Sequence, residues 1–319
     1  MQILKFGGSS LADATAIQHV AGIIREHSRD EATVVVCSAC AGITNRLVRI
    51  TELVRAGHSV QALNETWAIR SQHRALFAAI NLGIANQYAD EEVLEGPRIW
   101  VELEDLGACL RALIAGTSRD QADAAWTAAV LSYGERASAR LVAGALQQSE
   151  VRALAVDATE CVETDENFLD AEPLWQETRC RTRETLVPFM EEGIVPVVTG
   201  FIGATSEGKI TTLGRNSSDF SAAIVGDALD ADQVCLWTDV DGVFDRDPRT
   251  TQNSADDFTL LEHLSYDEAL QMAGRGAKVV HPRTIQPLRE KNIILRIRNT
   301  FRPGHSGTRI GPAAQSVAR

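Results

Sequence analysis

Lys5-Phe6-Gly7-Gly8-Ser9-Ser10 places a lysine at the end of the apolar run Gln2 to Phe6, with two glycines directly after it. Glycines let a ligand approach the backbone closely, and a lysine beside them supplies positive charge, so the segment has the shape of a phosphate site. It is not a Walker A loop, because there the lysine follows the glycines. Taken alone it reads equally well as a tight strand-to-helix turn carrying an exposed lysine. A second segment, Gly214-Arg215-Asn216-Ser217-Ser218-Asp219, also lies between a strand pattern and an apolar helix pattern. Free N–H groups and small side chains can meet an anion at the positive end of that helix. Ser217 or Ser218 could equally be a plain N-cap. The pairing of Arg215 with Asp219 argues for more, since the carboxyl ends of strands in open α/β sheets are where ligands bind.

The third segment, Trp237 to Phe244 with Asp245, Asp247, Pro248 and Arg249 beyond it, ends a strand in acids, a glycine turn and an arginine. Those groups could hold a purine, a ribose and phosphates in turn, and the competing reading is a solvated acidic turn. The spacing of Asp239, Asp241 and Asp245 lacks the EF-hand order and its bidentate Glu, so calcium is not expected. Ser38-Ala39-Cys40-Ala41-Gly42-Ile43-Thr44-Asn45 offers hydroxyls and N–H groups suited to a carboxylate. Ser132-Tyr133-Gly134-Glu135-Arg136 has the S-x-x-E spacing of a capping box, and by that spacing Glu135 reads as the cap of a helix that opens there, ahead of any role as a ligand. Ser265 and Glu268 form a second box of the same kind, and Gly274 to Lys278 reads as a helix end followed by a solvated lysine.

The elements that must position these residues follow from hydrophobic period. Gln2 to Phe6, Thr33 to Ser38 and Val151 to Val156 are short Val/Ile/Leu-rich runs, which read as buried parallel strands. Between the first two, Ile17, Val20, Ala21 and Ile24 recur on one face behind an Asp13 cap, which makes a crossover helix. Residues 60 to 130 become Ala- and Leu-rich and helical in pattern, with breaks at Gly96-Pro97 and Gly116. Further strands are expected at Val195 to Gly203, Val234 to Val240 and Ile293 to Asn299, with Glu207-Gly208 turning a hairpin back along Lys209 to Leu213. Helices should start near Ser218, Ser265 and Pro282. This alternation favours one three-layer α/β/α sandwich with a mostly parallel central sheet, followed by a frayed tail from Pro312.

The 319 residues are 45% hydrophobic and 23% charged, the makeup of a folded protein with a sizeable core. Lys+Arg 31 against Asp+Glu 43 gives a net charge of -12, which argues against nucleic acid as a partner. Any bound anion must then be met by a local cluster of positive charge. No apolar run approaches membrane-spanning length and the start lacks a signal-peptide pattern, so a cytoplasmic location is expected. Six cysteines are too few for a disulfide framework, and Cys37 with Cys40 reads as one core thiol and one loop thiol rather than a metal or redox pair. A symmetric homodimer is the base-rate expectation for assembly.

Each segment is weak alone, but their order is specific. KFGGSS, SACAGITN, YGERAS, GFIG, LGRNSSD, WTDVDGVFDRDPR, LSYDEA, GAKVVHPRT and a final RNT-to-GTRI stretch follow one another from residue 1 to about 310. This series resembles the catalytic domain of aspartate kinases within the amino-acid kinase family, and WTDVDGV and GRNSSD are nearer to those than to acetylglutamate, glutamate or uridylate kinases. The resemblance implies an amino-acid-binding lobe over about 1–200, a nucleotide-binding lobe over about 201–310, and a flexible tail over 311–319. It implies transfer of the γ-phosphoryl group of ATP, with Mg2+, to the β-carboxylate of L-aspartate. Lys5 matches the lysine on the transferring phosphoryl group, and Asp219 the acid that orients it. Ser38, Thr44, Glu135 and Arg215 match substrate positions, Glu135 for the α-amino group and Arg215 for a carboxylate. Gly7, Gly8, Ser9, Thr238, Asp239, Phe244, Arg249, Lys278 and Val279 match the nucleotide site, and no residue is expected to act as a dedicated metal ligand. Ser9 replaces a usual Thr, Phe244 a common Tyr, and Arg275 a frequent aromatic. Aspartate kinases usually continue into regulatory ACT domains that bind lysine or threonine. The sequence stops before such a segment, so no inhibition by either amino acid is expected. The alternatives are a kinase of the same family acting on another carboxylate, and a non-catalytic ligand-binding domain of the same fold.

Overall fold

A computed structural model of the chain describes residues 1–85, 95–215, 217–245, 258–274 and 280–313. The apolar runs Gln2–Phe6 (β1) and Thr33–Cys37 (β2) pair in parallel, Gln2 opposite Thr33 and Phe6 opposite Cys37. Between them runs Ala14–Asp30 (α1), whose first turn is closed by the Asp13 carboxylate accepting from the Ala16 N–H at 2.8 Å. Its Ile17, Val20, Ala21 and Ile24 are buried, as their spacing predicts.

Four helices follow: Ile43–Arg55 (α2), Ser59–Ala85 (α3), Glu95–Ala115 (α4) and Ala124–Gln148 (α5). Gly96-Pro97 lies near the N-terminal bound of α4 rather than between helices, and Gly116 directly follows its end. Next come Ala153–Val156 (β3), Trp175–Glu191 (α6), Val195–Thr199 (β4), Ile202–Ala204 (β5) and Ile210–Thr212 (β6). The chain closes with Ser218–Ala228 (α7), Gln233–Thr238 (β7), His263–Ser265 (β8), Tyr266–Gly274 (α8), Pro282–Glu290 (α9), Ile294–Asn299 (β9) and Thr308–Gly311 (β10). The α8 capping box is present, with the Glu268 carboxylate accepting from the Ser265 N–H at 2.7 Å.

Eight strands form one sheet in the order β3-β4-β2-β1-β7-β9-β10-β8, parallel except for β9 against β10. The single strand expected over Val195 to Gly203 is instead two. Gly200 and Phe201, the latter at φ 68°, turn the chain out of the sheet, so β5 pairs antiparallel with β6 across the expected Glu207-Gly208 turn. A left-handed residue cannot continue a strand, and a phenylalanine gives no sequence warning of one.

Strand residues alternate between two cores. Leu4, Phe6, Val35 and Cys37 pack with α1, α2 and α5, while Ile3, Val34 and Val36 pack with α7 and α9. Lys5 shares the parity of Ile3, so it stands on the α7 side of the sheet. Cys37 ends β2 and Cys40 follows in the loop, and both are buried. Burial pushes both thiols up, Cys40 to about 12, which leaves them as unreactive packing groups. Among the described residues no helix is long and apolar enough to cross a membrane.

Candidate active site

Phe6 of β1 is the register partner of Cys37 on β2 and of Trp237 on β7, so Gly7, Ser38 and Thr238 emerge side by side at one sheet edge. Strand β1 has β2 on one flank and β7 on the other, and chain order reverses across it. That makes the edge a topological switch point, where open α/β sheets leave a crevice. The Lys5, Ser38 and Thr238 segments meet there because of strand register, and the 214–219 loop reaches it as the entry to α7.

The Lys5 side chain is 12% exposed and its Nζ lies 2.5 Å from Asp219 Oδ1, in the first turn of α7. Asp219 therefore pairs with Lys5 and not with Arg215, as the sequence alone suggested. Arg215 is exposed and forms no ion pair among the described residues. Ser217 occupies the N-cap position of α7, yet its hydroxyl makes no cap bond. Its backbone, at φ -89° and ψ 7°, is outside the extended region that aims an N-cap oxygen at the following amides. Among the described residues the Ser217 Oγ is left buried without a hydrogen-bond partner, at the start of the helix where backbone N–H groups lack intrahelical partners.

Glu135 is the largest correction to the sequence reading. Helix α5 begins at Ala124 under an Asp123 carboxylate that accepts from the Trp126 N–H at 2.7 Å, so Ser132 and Glu135 lie in mid-helix and cap nothing. Amides there already have helical partners, which removes the need for a cap. The Glu135 residue is only 3% exposed. Burial pushes its carboxyl up to about 8, against the opposing pull of the Ala39 backbone and the charge of Lys5. Among the described residues its Oε2 has no hydrogen-bond partner. A buried carboxyl left this way is costly unless something binds it, and the group that suits it is a cationic donor.

The 38–44 loop is fastened over Glu135 by contacts distant in sequence. Ser138 Oγ donates to the Ser38 carbonyl at 2.6 Å, and Gln72 Nε2 donates to the Ala41 carbonyl at 3.2 Å. Thr44 stands partly buried in the first turn of α2. Gly134 lets α5 come close: a Cβ there would stand 2.7 Å from the Ala39 Cβ. Since Ala39 has no flexible side chain to withdraw, Gly134→Ala must move the loop backbone. We expect it to raise the half-saturating concentration of the ligand bound by this loop and to destabilise the fold by about 1–3 kcal/mol, measured by steady-state kinetics and thermal melting. None of Gln72, Gly134 or Ser138 was singled out by motif as a loop anchor, because such contacts leave no local pattern.

On the other flank, Thr238 is partly buried and Asp239 exposed, joined by a 3.2 Å hydrogen bond from Thr238 Oγ1 to Asp239 Oδ1. Asp241 is consumed structurally: Asn299 Nδ2 donates to it at 2.8 Å and Arg302 pairs with it at 2.5 Å. The acidic cluster is thus not a single ligand set. Phe244 is partly buried and meets Phe258 edge-on at 5.3 Å. Gly7 and Gly8 are partly buried and Ser9 exposed in the turn after β1. That turn is held to β9 by Ser10 Oγ against Thr300 Oγ1 at 2.7 Å, while the Thr300 N–H donates to the Thr238 carbonyl at 2.8 Å. Asn216, Asp247, Pro248, Arg249, Arg275, Lys278, Val279 and the tail beyond residue 313 lie outside the described residues. Among the described residues no cluster of three or more His, Cys, Asp or Glu could hold a metal ion.

The sequence matches the amino acid kinase family over residues 1–299. It is 31% identical over 306 residues to lysine-sensitive aspartokinase 3 of Escherichia coli, covering 96% of this chain and 63% of that protein. It is 35% identical over 312 residues to the chloroplastic aspartokinase 3 of Arabidopsis thaliana, covering 96% of this chain and 52% of that protein. The crystal structure of E. coli aspartokinase III in complex with aspartate and ADP superposes with a TM-score of 0.85 at 30% identity, over 99% of this chain and 65% of that one. The chain thus spans about half to two thirds of the length of these relatives.

Proposed function

Because the chain belongs to the amino acid kinase family, we propose that it transfers the γ-phosphoryl group of MgATP to the β-carboxylate of L-aspartate, giving 4-phospho-L-aspartate and ADP. The observation that points to an acceptor with a free α-amino group is Glu135, a buried carboxyl whose Oε2 has no partner among the described residues and which feels the charge of Lys5. An α-ammonium meets the Glu135 carboxylate with charge as well as hydrogen bonds, whereas an N-acylated amino acid offers only a neutral amide N–H. The similarity to aspartokinases, one of them solved with aspartate and ADP, supports the same reading.

In this reading residues 1 to about 200 bring the acceptor side and about 201 to 310 the nucleotide side. Ser38, Thr44 and Arg215 take the acceptor's carboxylates. Gly7, Gly8, Ser9, Thr238, Asp239, Phe244, Arg249, Lys278 and Val279 take ATP. The acceptor oxygen needs no general base, since a carboxyl with a pKa near 3.9 is ionised at neutral pH. It attacks the γ-phosphorus while the bond to the β,γ-bridging oxygen breaks and ADP leaves with that electron pair. The obstacle is bringing two anions together, so catalysis rests on positioning and on charge neutralisation. Lys5, held by Asp219, faces the transferring group, and the N–H groups at the start of α7 add to the positive field. A magnesium ion accompanying ATP would be held mostly by phosphate oxygens and water and would neutralise phosphate charge, with Asp219 and Asp239 the carboxylates at this edge that could meet it; among the described residues no acidic cage is present. The cytoplasm is the compartment in which this reading places the reaction.

Trapping the acyl phosphate with hydroxylamine tests the proposal. Hydroxamate should form with L-aspartate and ATP, and not with L-glutamate or N-acetyl-L-glutamate. Product from either of those and none from aspartate would overturn the acceptor assignment, and no product from any would overturn catalysis.

A further inference from the structure

We infer that Arg283, in the His281-Pro282-Arg283-Thr284 segment, is a positioning residue for the 213–219 loop, a role that rests on the proposed kinase reading for its catalytic consequence. Arg283 sits in the first turn of α9 and ties together three segments that carry or flank the site. Its Nη1 donates to the Leu213 carbonyl at 3.0 Å, at the head of the loop. The same atom pairs with Asp170 at 3.0 Å. Its Nη2 donates to the Ala171 carbonyl at 3.1 Å and pairs with Glu172 at 3.0 Å. The guanidinium carbon lies 4.6 Å from the ring centre of Phe220, the neighbour of Asp219 in α7.

The clamp closes on the head of the loop, where the Leu213 N–H also donates to the Phe201 carbonyl at 2.8 Å. Gly214 is at φ +89°, and a Cβ there would collide with Asp170 Oδ1, so the Asp170 carboxylate lies directly over the loop backbone. The 165–172 segment is itself braced on β6, with the Thr212 N–H donating to the Phe168 carbonyl at 2.8 Å and the Ala171 N–H to the Thr212 carbonyl at 2.9 Å. One planar, forked cation thus fixes both walls of the turn that presents Arg215, while its face rests on the ring beside the Lys5 partner. A lysine cannot do this, because a single ammonium cannot reach two carbonyls and stack on a ring together. Among the described residues Arg283 forms no hydrogen bond or ion pair with Ser38, Thr44, Glu135 or Arg215, so its effect on the acceptor side passes through the loop. Its outer side opens to a cleft of about 450 Å³ that also includes Trp175, Arg179 and Gln286, so water can replace a shortened side chain without leaving a sealed void.

The test compares wild type with Arg283→Lys, Arg283→Met and Asp170→Ala in kinetics and in amide hydrogen exchange. For Arg283→Lys and Arg283→Met we expect kcat to fall about 10–100-fold and KM for aspartate to rise about tenfold, with KM for ATP nearly unchanged. Exchange at residues 213–218 should quicken, and Asp170→Ala should give a smaller step in the same direction. Near-wild-type kinetics in Arg283→Lys would overturn the proposal, since a role limited to ion pairing with Asp170 and Glu172 survives that change. Unaltered exchange at 213–218 in both Arg283 variants would overturn it as well. The exchange measurement needs no substrate, so it judges the clamp even if wild type forms no aspartyl hydroxamate, a result that would sink the kinase reading alone.

Discussion

Lys5→Ala lowers kcat by about 10²–10³-fold, the scale seen when one preorganised charge at a transition state is removed, while KM for aspartate changes little. The asymmetry follows from where the ammonium sits. Lys5 is 12% exposed, near the end of the central strand, and locked 2.5 Å from Asp219 Oδ1. The charge that develops as phosphorus passes between two oxygens is met by a group already in place, with no solvent to reorganise. The ground-state hold on aspartate is assigned to Glu135, Arg215 and the 38–44 loop, which the substitution leaves intact. Lys5→Arg should not rescue turnover, because a longer, planar guanidinium cannot place a compact point charge where the Lys5 Nζ sits, 2.5 Å from Asp219 Oδ1. Steady-state kinetics in both substrates checks this, and a Lys5→Ala enzyme that keeps wild-type turnover would remove Lys5 from the chemistry.

Glu135→Gln acts on the other side of the reaction. It keeps the shape of the side chain but removes the charge that pairs with an α-ammonium, so KM for aspartate should rise about 10²-fold with KM for ATP unchanged. The carboxyl, pushed by burial up to about 8 in the free protein, must ionise before it can hold that ammonium. Accordingly kcat/KM for aspartate should climb as pH rises from 6 toward about 8, and Glu135→Gln should lose the climb. Stability has the opposite slope. With the folded value raised from 4.5 to about 8, the folded state holds a proton that the unfolded state has released, so the ligand-free protein becomes less stable as pH increases across that interval. Below 4.5 this contribution is fully present, and above about 8 it is gone. Thermal melting of wild type and Glu135→Gln across that range reads the difference, and saturating aspartate should recover stability at the alkaline end. An unchanged dependence on aspartate in Glu135→Gln would return Glu135 to a packing role.

Much of the architecture was legible because hydrophobic period and punctuation agree with it. The α1 stripe behind Asp13, the β1 and β2 runs and the Gly208 hairpin are all local signals, and each formed where its pattern predicts. What failed was also local. The S-x-x-E spacing at Ser132 is shared by capping boxes and by helix interiors, and only the true start at Asp123 distinguishes them. Likewise Arg215 and Asp219 are near in sequence, but the acid's partner is Lys5 of the N-terminal strand β1, which stands on the face of the sheet that α7 covers. The spent charge of Asp241, the orphaned Ser217 hydroxyl and the Arg283 clamp depend on side chains brought together from distant segments, which no spacing rule encodes. Resemblance supplied Lys5, Asp219 and Glu135 as candidates. The fold adds the physical reason that two of them are paired, and it buries the third with one oxygen unpartnered among the described residues.

A crystal structure of the protein with L-aspartate and a non-hydrolysable ATP analogue tests the central claim most directly. The account predicts the aspartate ammonium within about 3 Å of Glu135 Oε2 and the Lys5 Nζ between the β-carboxylate and the terminal phosphate. It is contradicted if the ammonium is held elsewhere, or if the Lys5 amine turns away from both ligands.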